Sequence, residues 1–342
     1  MATVTLIGID IGKHSFHLVG HDAHGKVLLK RQFGRHSLID FLARHPPCRI
    51  VMEACCGAHW LARKLAGFGH AVQLIAPQYV RPFVQGNKND FLDAQAICEA
   101  ASRPTMRYVA VKSPEQQAQS ALHRLREARI RERVQTSNQI HALLLEFGLA
   151  LPQGARGLQQ AHSLLGERDA ALPEGAWRVL EKPLQHHDLL LQEIETLDLE
   201  IAAQAKQDDV ARRLMTGPGI GPITATQLAA DAGNAKGYGH ARDFAASLGL
   251  VPRQHSTGGK AKLLGISKRG DKSLRRLLVQ CAHVIMQRAA QWDSALAQWT
   301  AQLMLRRPSQ VVACAVANKL ARVVWAILAQ GGEYHPHPRA GM

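Results

Sequence analysis

Acidic residues are scarce in this 342-residue chain: 27 Asp and Glu stand against 42 Lys and Arg, a formal net charge of +15. An excess of that size opposes compaction unless an anionic partner offsets it, and nucleic acid is the partner class that fits. A merely basic soluble protein is the other reading, weakened by the concentration of positive charge around 124–133 and 253–276. Aromatic residues are few, at 5%. Cysteine is also sparse. Its six positions, Cys48, Cys55, Cys56, Cys98, Cys281 and Cys314, lie in apolar stretches and form no CxxC pair, which argues against a zinc ribbon or a disulfide framework and for buried free thiols. Long apolar runs are missing too: no stretch reads as long enough to cross a bilayer, and the opening MATVTLIGID has neither the basic start nor the apolar stretch of a signal peptide. A reducing cytoplasm and no membrane partner are expected.

The length exceeds what one hydrophobic core usually organises, so two domains with a helical element between them are expected. Up to position 110, TVTLIGID, SFHLVGHD and KVLLKRQF predict a meander of three strands. A helix through SLIDFLARH, a strand CRIVME, a helix through HWLARKLAGFG, a strand AVQLIA and a helix from Asp93 to Ala101 follow. Hairpins first and βα units afterwards predict an α/β domain over 1–110, a mixed sheet flanked by helices. Ser113-Pro114-Glu115 is a helix start, and no further Gly or Pro occurs up to Phe147, so a long helix is expected there. Its Arg124, Arg126, Arg129, Arg131 and Arg133 fit either an ion-paired solvated face, with Glu127 and Glu132, or contact with phosphate. Leu190, Ile194, Leu197 and Ile201 alternate at spacings of four and three, a coiled-coil seam that serves equally within the chain or between protomers. The region 111–205 is therefore a helical and coiled-coil middle. From 206 to 330 a mostly α domain is expected, interrupted by one Gly- and Lys-rich loop. The tail 331–342 reads as disordered, and its His335 and His337 form no metal site by themselves.

Asp10 ends the apolar run LIGID and Glu53 ends RIVME. A lone Asp after a strand is ordinarily a turn former, but a second strand ending in an acid is less easily dismissed. Asp90 and Asp93 open a helix, where three-residue spacing puts them on one face; capping and dipole compensation explain such a pair as well as metal binding does. Together Asp10, Glu53, Asp90 and Asp93 supply what Mg²⁺ needs. An RNase H-like sheet presents such hard oxygens from separate elements, and they can hold two ions that clamp the attacking and leaving oxygens of a phosphodiester. Lys88, near Asp90, either neutralises a phosphate or faces solvent.

Gly217, Gly219 and Gly221 in LMTGPGIGPITATQL predict a tight turn before a helix. It is either an ordinary connection or a helix-hairpin-helix-like element whose amides meet DNA phosphate. No GK[ST] follows, so it is not a Walker loop. Farther on, Ser256 sits in a loop with Arg253, Lys260, Lys262, Lys268, Arg269, Lys272, Arg275 and Arg276, and Asp271 is the only acid among them. That is a phosphate-binding environment, although a serine in a TGG turn is, by itself, ordinarily a turn residue.

GIDIGKHSFHLVG, MEACCGAHW, QGNKNDFLDAQAI and the serine segment resemble the DEDD transposases of the IS110 insertion-sequence family, in particular its IS1111 subgroup. The resemblance runs from about Leu6 to Ala329. It implies a RuvC-like, that is RNase H-like, N-terminal domain with Asp10, Glu53, Asp90 and Asp93 as its metal-binding quartet. It also implies that Ser256, rather than Ser267 or Ser273, attacks DNA and becomes covalently linked to a phosphate. Donor and target DNA, a structured noncoding guide (bridge) RNA, a homo-oligomer (dimer or tetramer) and a composite site from the two domains follow from the same resemblance, as does action at the nucleoid of a bacterial cytoplasm. The expectation is a Mg²⁺-dependent recombinase that cuts, exchanges and rejoins strands. Two rivals stand beside it: a junction-resolving nuclease that uses the same quartet to activate water, and a non-catalytic nucleic-acid-binding protein in which the acids are caps and the serine a turn.

Overall fold

A computed structural model describes residues 3–87, 89–167 and 172–336, so Lys88, His337 and the rest of the tail lie outside the described residues. The chain divides into two units, one of the residues up to Gln117 with Asp231–His240, the other of Ala118–Ala230 with the residues from Ala241 on.

In the first unit β1 (Leu6–Ile11), β2 (Phe16–His21) and β3 (Val27–Phe33) form the antiparallel meander. After α1 (Arg35–Arg44), β4 (Arg49–Glu53) pairs parallel with β1. After α2 (Ala58–Ala66), β5 (Ala71–Ile75) pairs parallel with β4. A short α3 (Pro77–Val80) and a 3-10 turn lead to α4 (Asp90–Ala101) and to β6 (Tyr108–Val109), antiparallel to β5. The order across the sheet is β3-β2-β1-β4-β5-β6. Successive strand residues point to opposite faces, and both faces are covered. Ile7, Ile9, Ile50 and Met52 pack with Leu38, Leu42, Leu61 and Leu65 of α1 and α2. Leu6, Val19 and Val51 pack on the other face with Ala94, Ile97 and Cys98 of α4. Gly8 belongs to this second face, where a Cβ would lie 2.5 Å from the Ala94 carbonyl and 2.7 Å from Cys98 Sγ, so α4 lies against β1 only because position 8 has no side chain.

Then α5 (Pro114–Leu145) starts where Ser113 foretells it. Gln116 N–H donates to Ser113 Oγ and Ser113 N–H to Gln116 Oε1, a reciprocal capping box. Next come α6 (Ala155–Glu167) and α7 (Glu174–Gln207). α7 runs antiparallel to α5: Arg126 grips Asp198, Arg129 Nε lies 2.6 Å from Glu193, and His186 Nε2 lies 3.1 Å from Glu132. The heptad seam is used within the chain, with Leu190, Ile194 and Ile201 buried. Arg126, Arg129 and Arg131 of the arginine cluster are ion-paired.

The helices α8 (Asp209–Met215), α9 (Pro222–Ala232) and α10 (Ala241–Ser247) follow. The expected Gly- and Lys-rich loop is a hairpin instead, β7 (Pro252–Thr257) and β8 (Lys260–Ile266). Gly258 and Gly259 both take positive φ, +57° and +78°, the two-residue turn whose twist matches paired strands, so the glycines mark a hairpin rather than an unstructured connection. α11 (Lys272–Arg288), α12 (Ala295–Met304) and α13 (Ser309–Gln330) complete the unit. The expectation that no run is long and apolar enough to cross a bilayer is corrected by α13, whose 22 residues include an 18-residue stretch of mean hydropathy 1.8. Its valines, leucines and isoleucine raise the average, and half of that stretch is buried among neighbouring helices of its own unit, as a core helix is. Residues 331–336 carry no regular structure, and Tyr334 N–H donates to Thr216 Oγ1 at 2.8 Å.

Candidate functional site

Period-two alternation decides where two of the acids go. Asp10 shares the α4 face of β1 with Gly8, and Glu53 shares the α4 face of β4 with Val51. Ile9 pairs with Met52 in the parallel ladder, so Asp10 and Glu53 stand side by side near the C-terminal ends of neighbouring strands. Asp10 is inside β1 and the turn is made by Gly12 and Ser15, whose N–H and carbonyl bond at 3.0 Å; the turn-former reading of Asp10 therefore does not hold. α4 starts over the same face. Its cap is Asn89, whose side chain accepts from Phe91 N–H at 3.0 Å, which leaves the carboxylates of Asp90 and Asp93 in the first turn free of the capping bond. Asp10, Asp90 and Asp93 offer oxygens within 4.8 Å of one another, the one such group of His, Cys, Asp or Glu among the described residues. Glu53 is outside that triplet but within its field.

Burial raises the Asp10 carboxyl above its ordinary value, and the charges of Asp93 and Asp90 add to that, against smaller opposing effects of His17 and the Ile11 N–H. Glu53 is raised by burial first, then by Asp10 and Asp93, with Arg81 opposing. Cys55, two residues on, is pushed up to about 11, mainly by burial and then by Glu53 and Asp10, so its thiol stays protonated at neutral pH. Half-buried carboxylates that repel one another leave a deficit of positive charge. The donors are all hard oxygens, so a divalent cation of the Mg²⁺ type fits both the charge and the chemistry.

His17 is a member of this site that sequence reasoning missed. It pairs directly opposite Asp10 in the β1–β2 ladder, is 7% exposed, and holds Nδ1 3.6 Å from Asp90 Oδ2 while its ring meets Phe91 edge-on at 4.8 Å. The signal was available in the hairpin register, since opposed residues of an antiparallel pair share a face. Lys88, weighed beside Asp90, is outside the described residues.

Ser256 lies on β7 opposite Ala261, one residue before the turn. Gln254, on the same strand face, donates from Nε2 to Ser256 Oγ at 2.6 Å, another contact sequence reasoning missed. Arg253, Lys260 and Lys262 are exposed on the hairpin, and Lys268, Arg269 and Lys272 are exposed beyond it. Arg275 and Arg276 are engaged within the fold: Arg275 Nη1 donates to the Leu248 and Arg269 carbonyls at 2.9 and 3.2 Å, and Arg276 pairs with Glu127 at 2.9 Å. In the glycine turn, Gly217 N–H donates to the Leu214 carbonyl. Gly219, at φ +71°, lies so close to α11 that a Cβ would be 2.8 Å from the Cys281 carbonyl. Gly221, directly before α9, is the exposed one.

Two family models match the chain. A DEDD-type model described as a transposase covers residues 7–148, and a model described as Transposase IS116/IS110/IS902 family covers residues 211–298. The chain is 52% identical to the transposase for insertion sequence element IS1328 of Yersinia enterocolitica, over 97% of this chain and 98% of that protein. It is 45% identical to a probable family 20 transposase of Pseudomonas aeruginosa, over 96% and 98%. With the transposase for insertion sequence element IS1111A of Coxiella burnetii it shares 37% identity over 98% and 92%.

Proposed function

Because the chain belongs to the IS116/IS110/IS902 family of transposases, enzymes that act on DNA, we propose that it cuts and rejoins strands with Asp10, Glu53, Asp90 and Asp93 as a Mg²⁺-binding quartet and Ser256 as nucleophile. The observation that carries the reading is the set of mutually repelling carboxylates gathered on one sheet face. The strand order, with acids near the C-terminal ends of two adjacent parallel strands, supports an RNase H-like, RuvC-like domain over 1–110. When bound, Mg²⁺ supplies charge to the phosphoryl oxygens of the scissile group. His17 orients Asp90, and Arg81 moderates the charge of Glu53.

Ser256 supplies the covalent step in a C-terminal domain over 206–330. Its Oγ attacks phosphorus; the Oγ–P bond forms as the bond to the leaving sugar oxygen breaks, and the hydroxyl proton ends on that oxygen. A sugar hydroxyl of the incoming strand then attacks the phosphoserine ester, restoring the serine and a phosphodiester. One ester replaces another at each step, so no external energy source is needed. The Gln254 side-chain N–H stabilises Oγ as it loses its proton. Arg253, Lys260, Lys262, Lys268, Arg269 and Lys272 hold backbone phosphates, and Gly221 at the start of α9 offers another contact. A structured noncoding RNA chooses donor and target by pairing. Its duplexes are read through their backbones, which suits a chain with many Lys and Arg and few aromatics, working as a dimer or tetramer.

The test is an adduct assay. Protein, Mg²⁺, the element's flanking RNA and end-labelled element DNA are incubated and run on a denaturing gel. Label attached to protein, lost in Ser256→Ala and in Asp10→Ala, is the expected result; free cleaved ends without adduct would instead indicate water as nucleophile.

A further inference from the structure

Residues 149–210 lie between the two stretches matched by the family models. They carry α6 and α7, which pack with the C-terminal part of α5 around Ile140, Leu144, Leu158, Trp177 and Leu180. Beside that core the three helices line a cavity of about 440 Å³, within the size range of small-ligand sites. Its walls are of mixed chemistry. Val134, Leu158 and Leu191 are apolar, Ser137, Asn138 and Gln159 bring neutral hydrogen-bonding groups, and Arg133 and the N-terminus of α6 at Ala155 bring positive potential.

His187, in the same wall, is the group the fold leaves unsatisfied. It is 7% exposed, and its Nδ1 is buried without a hydrogen-bond partner. Asp188 Oδ1 is 3.8 Å from that atom, beyond hydrogen-bond reach, and lies 3.2 Å from His162 Nε2. Burial holds the His187 ring below its ordinary value, so it is neutral at pH 7 with one donor and one acceptor nitrogen. That nitrogen is sealed from solvent as well, so what an occupant of the cavity meets is the exposed amides of Asn138 and Gln159.

The lining discriminates among occupants. A bare phosphate would meet the Asp188 carboxylate beside a neutral histidine, and a purely apolar ligand would leave Asn138 and Gln159 unpaired. A planar heterocycle with donors and acceptors along its edge satisfies both the apolar walls and the amide groups. We infer that the cavity takes an unpaired nucleobase of the nucleic acid on which the protein acts, its edge bonded by Asn138 and Gln159 and its phosphate held by Arg133. Arg133 is the one arginine of the α5 cluster that lines the cavity.

The probe is a short single strand carrying one 2-aminopurine, in DNA and in RNA form, titrated into the full-length protein with a duplex of equal length as control. On binding, the wild type is expected to change the 2-aminopurine fluorescence. Asn138→Leu removes part of the polar edge and Ala155→Trp fills the cavity, both at exposed positions. Each is expected to weaken single-strand binding about tenfold while duplex binding and Tm hold. Whichever strand type carries the difference identifies the source of the base. Equal loss for single strands and duplexes would reduce the cavity to general electrostatic contact and sink the proposal, as would unchanged single-strand binding in both variants. Neither variant touches Ser256 or the acids, so this outcome is separate from that of the adduct assay.

Discussion

Asp10 and Glu53 stand on strands whose intervening residues, Ile9 and Met52, are fully buried, whereas Ser256 stands on a hairpin in which every residue from Pro252 to Gly265 is exposed. The acids have no freedom to spread apart, so their repulsion is built into the fold, and the proposed cation would relieve it. The serine strand has no core beneath it, and an isolated two-stranded hairpin is marginal in water. In the proposed function, bound nucleic acid would complete it. The same contrast recurs among glycines: Gly258 and Gly259 at the hairpin tip have open space around them, while at the base a Cβ on Gly270 would fall 1.7 Å from the Ser247 carbonyl and one on Gly249 2.2 Å from the Arg269 carbonyl. A tip free to adapt is mounted on a base that is not.

The largest expected effect breaks both regions at once. Ser256→Ala and Asp10→Asn should each lower adduct formation by about a thousandfold or more, measured on the denaturing gel. Only Asp10→Asn should also move Tm, because only it relieves buried repulsion. A Tm shift in Ser256→Ala would show that the hairpin is packed after all.

Next in size, Gly270→Ala should destabilise the protein by about 2–4 kcal/mol through backbone collision at positive φ, whereas Gly258→Ala should cost about 1 kcal/mol, from conformation alone. Denaturant midpoints check this pair. Equal losses would erase the distinction between base and tip.

A smaller effect concerns charge and pH. Asp10 and Glu53 are raised in the folded state, so the folded state holds more protons than the unfolded one. The stability they contribute is present below the ordinary values of 3.8 and 4.5 and is lost as pH rises through the folded values. In chelator, Asp10→Asn should therefore have a higher Tm than wild type at pH 7, with the gap closing toward pH 4. Added Mg²⁺ should raise the wild-type Tm more than that of the variant. A gap that widens toward acid would contradict the reading.

The smallest effect belongs to the hairpin alone. Lys262→Ala should reduce the slope of log affinity for DNA against log salt by about 1, with Arg275→Ala changing stability more than slope because its guanidinium braces carbonyls. Binding isotherms across a salt series distinguish them.

Much of the first unit was legible in the sequence. The meander, the βα order and the long helix from Pro114 all follow from local periodicity and capping residues. Glu53 could be identified as a strand-terminal acid, and Asp10 as an acid close to a strand end, for the same reason. Other features were not legible. GG between two polar strands reads as a flexible loop until pairing is known, because both strands are exposed and carry no apolar alternation. Two of the five arginines on α5, Arg126 and Arg129, looked as fit for phosphate as the others until α7 placed Asp198 and Glu193 beside them. His17 looked like one more strand residue until the ladder set it opposite Asp10.

Spacing along the chain, by itself, determined which residues end strands, which open helices and where positive charge accumulates, because those are properties of a few neighbouring residues. Tertiary structure alone decided that α4 crosses β1 at Gly8 and brings Asp90 and Asp93 to within 4.8 Å of Asp10. It also decided that His187 is buried without a partner. Both outcomes depend on how closely separate elements approach, and that distance is set by packing between residues far apart in the chain.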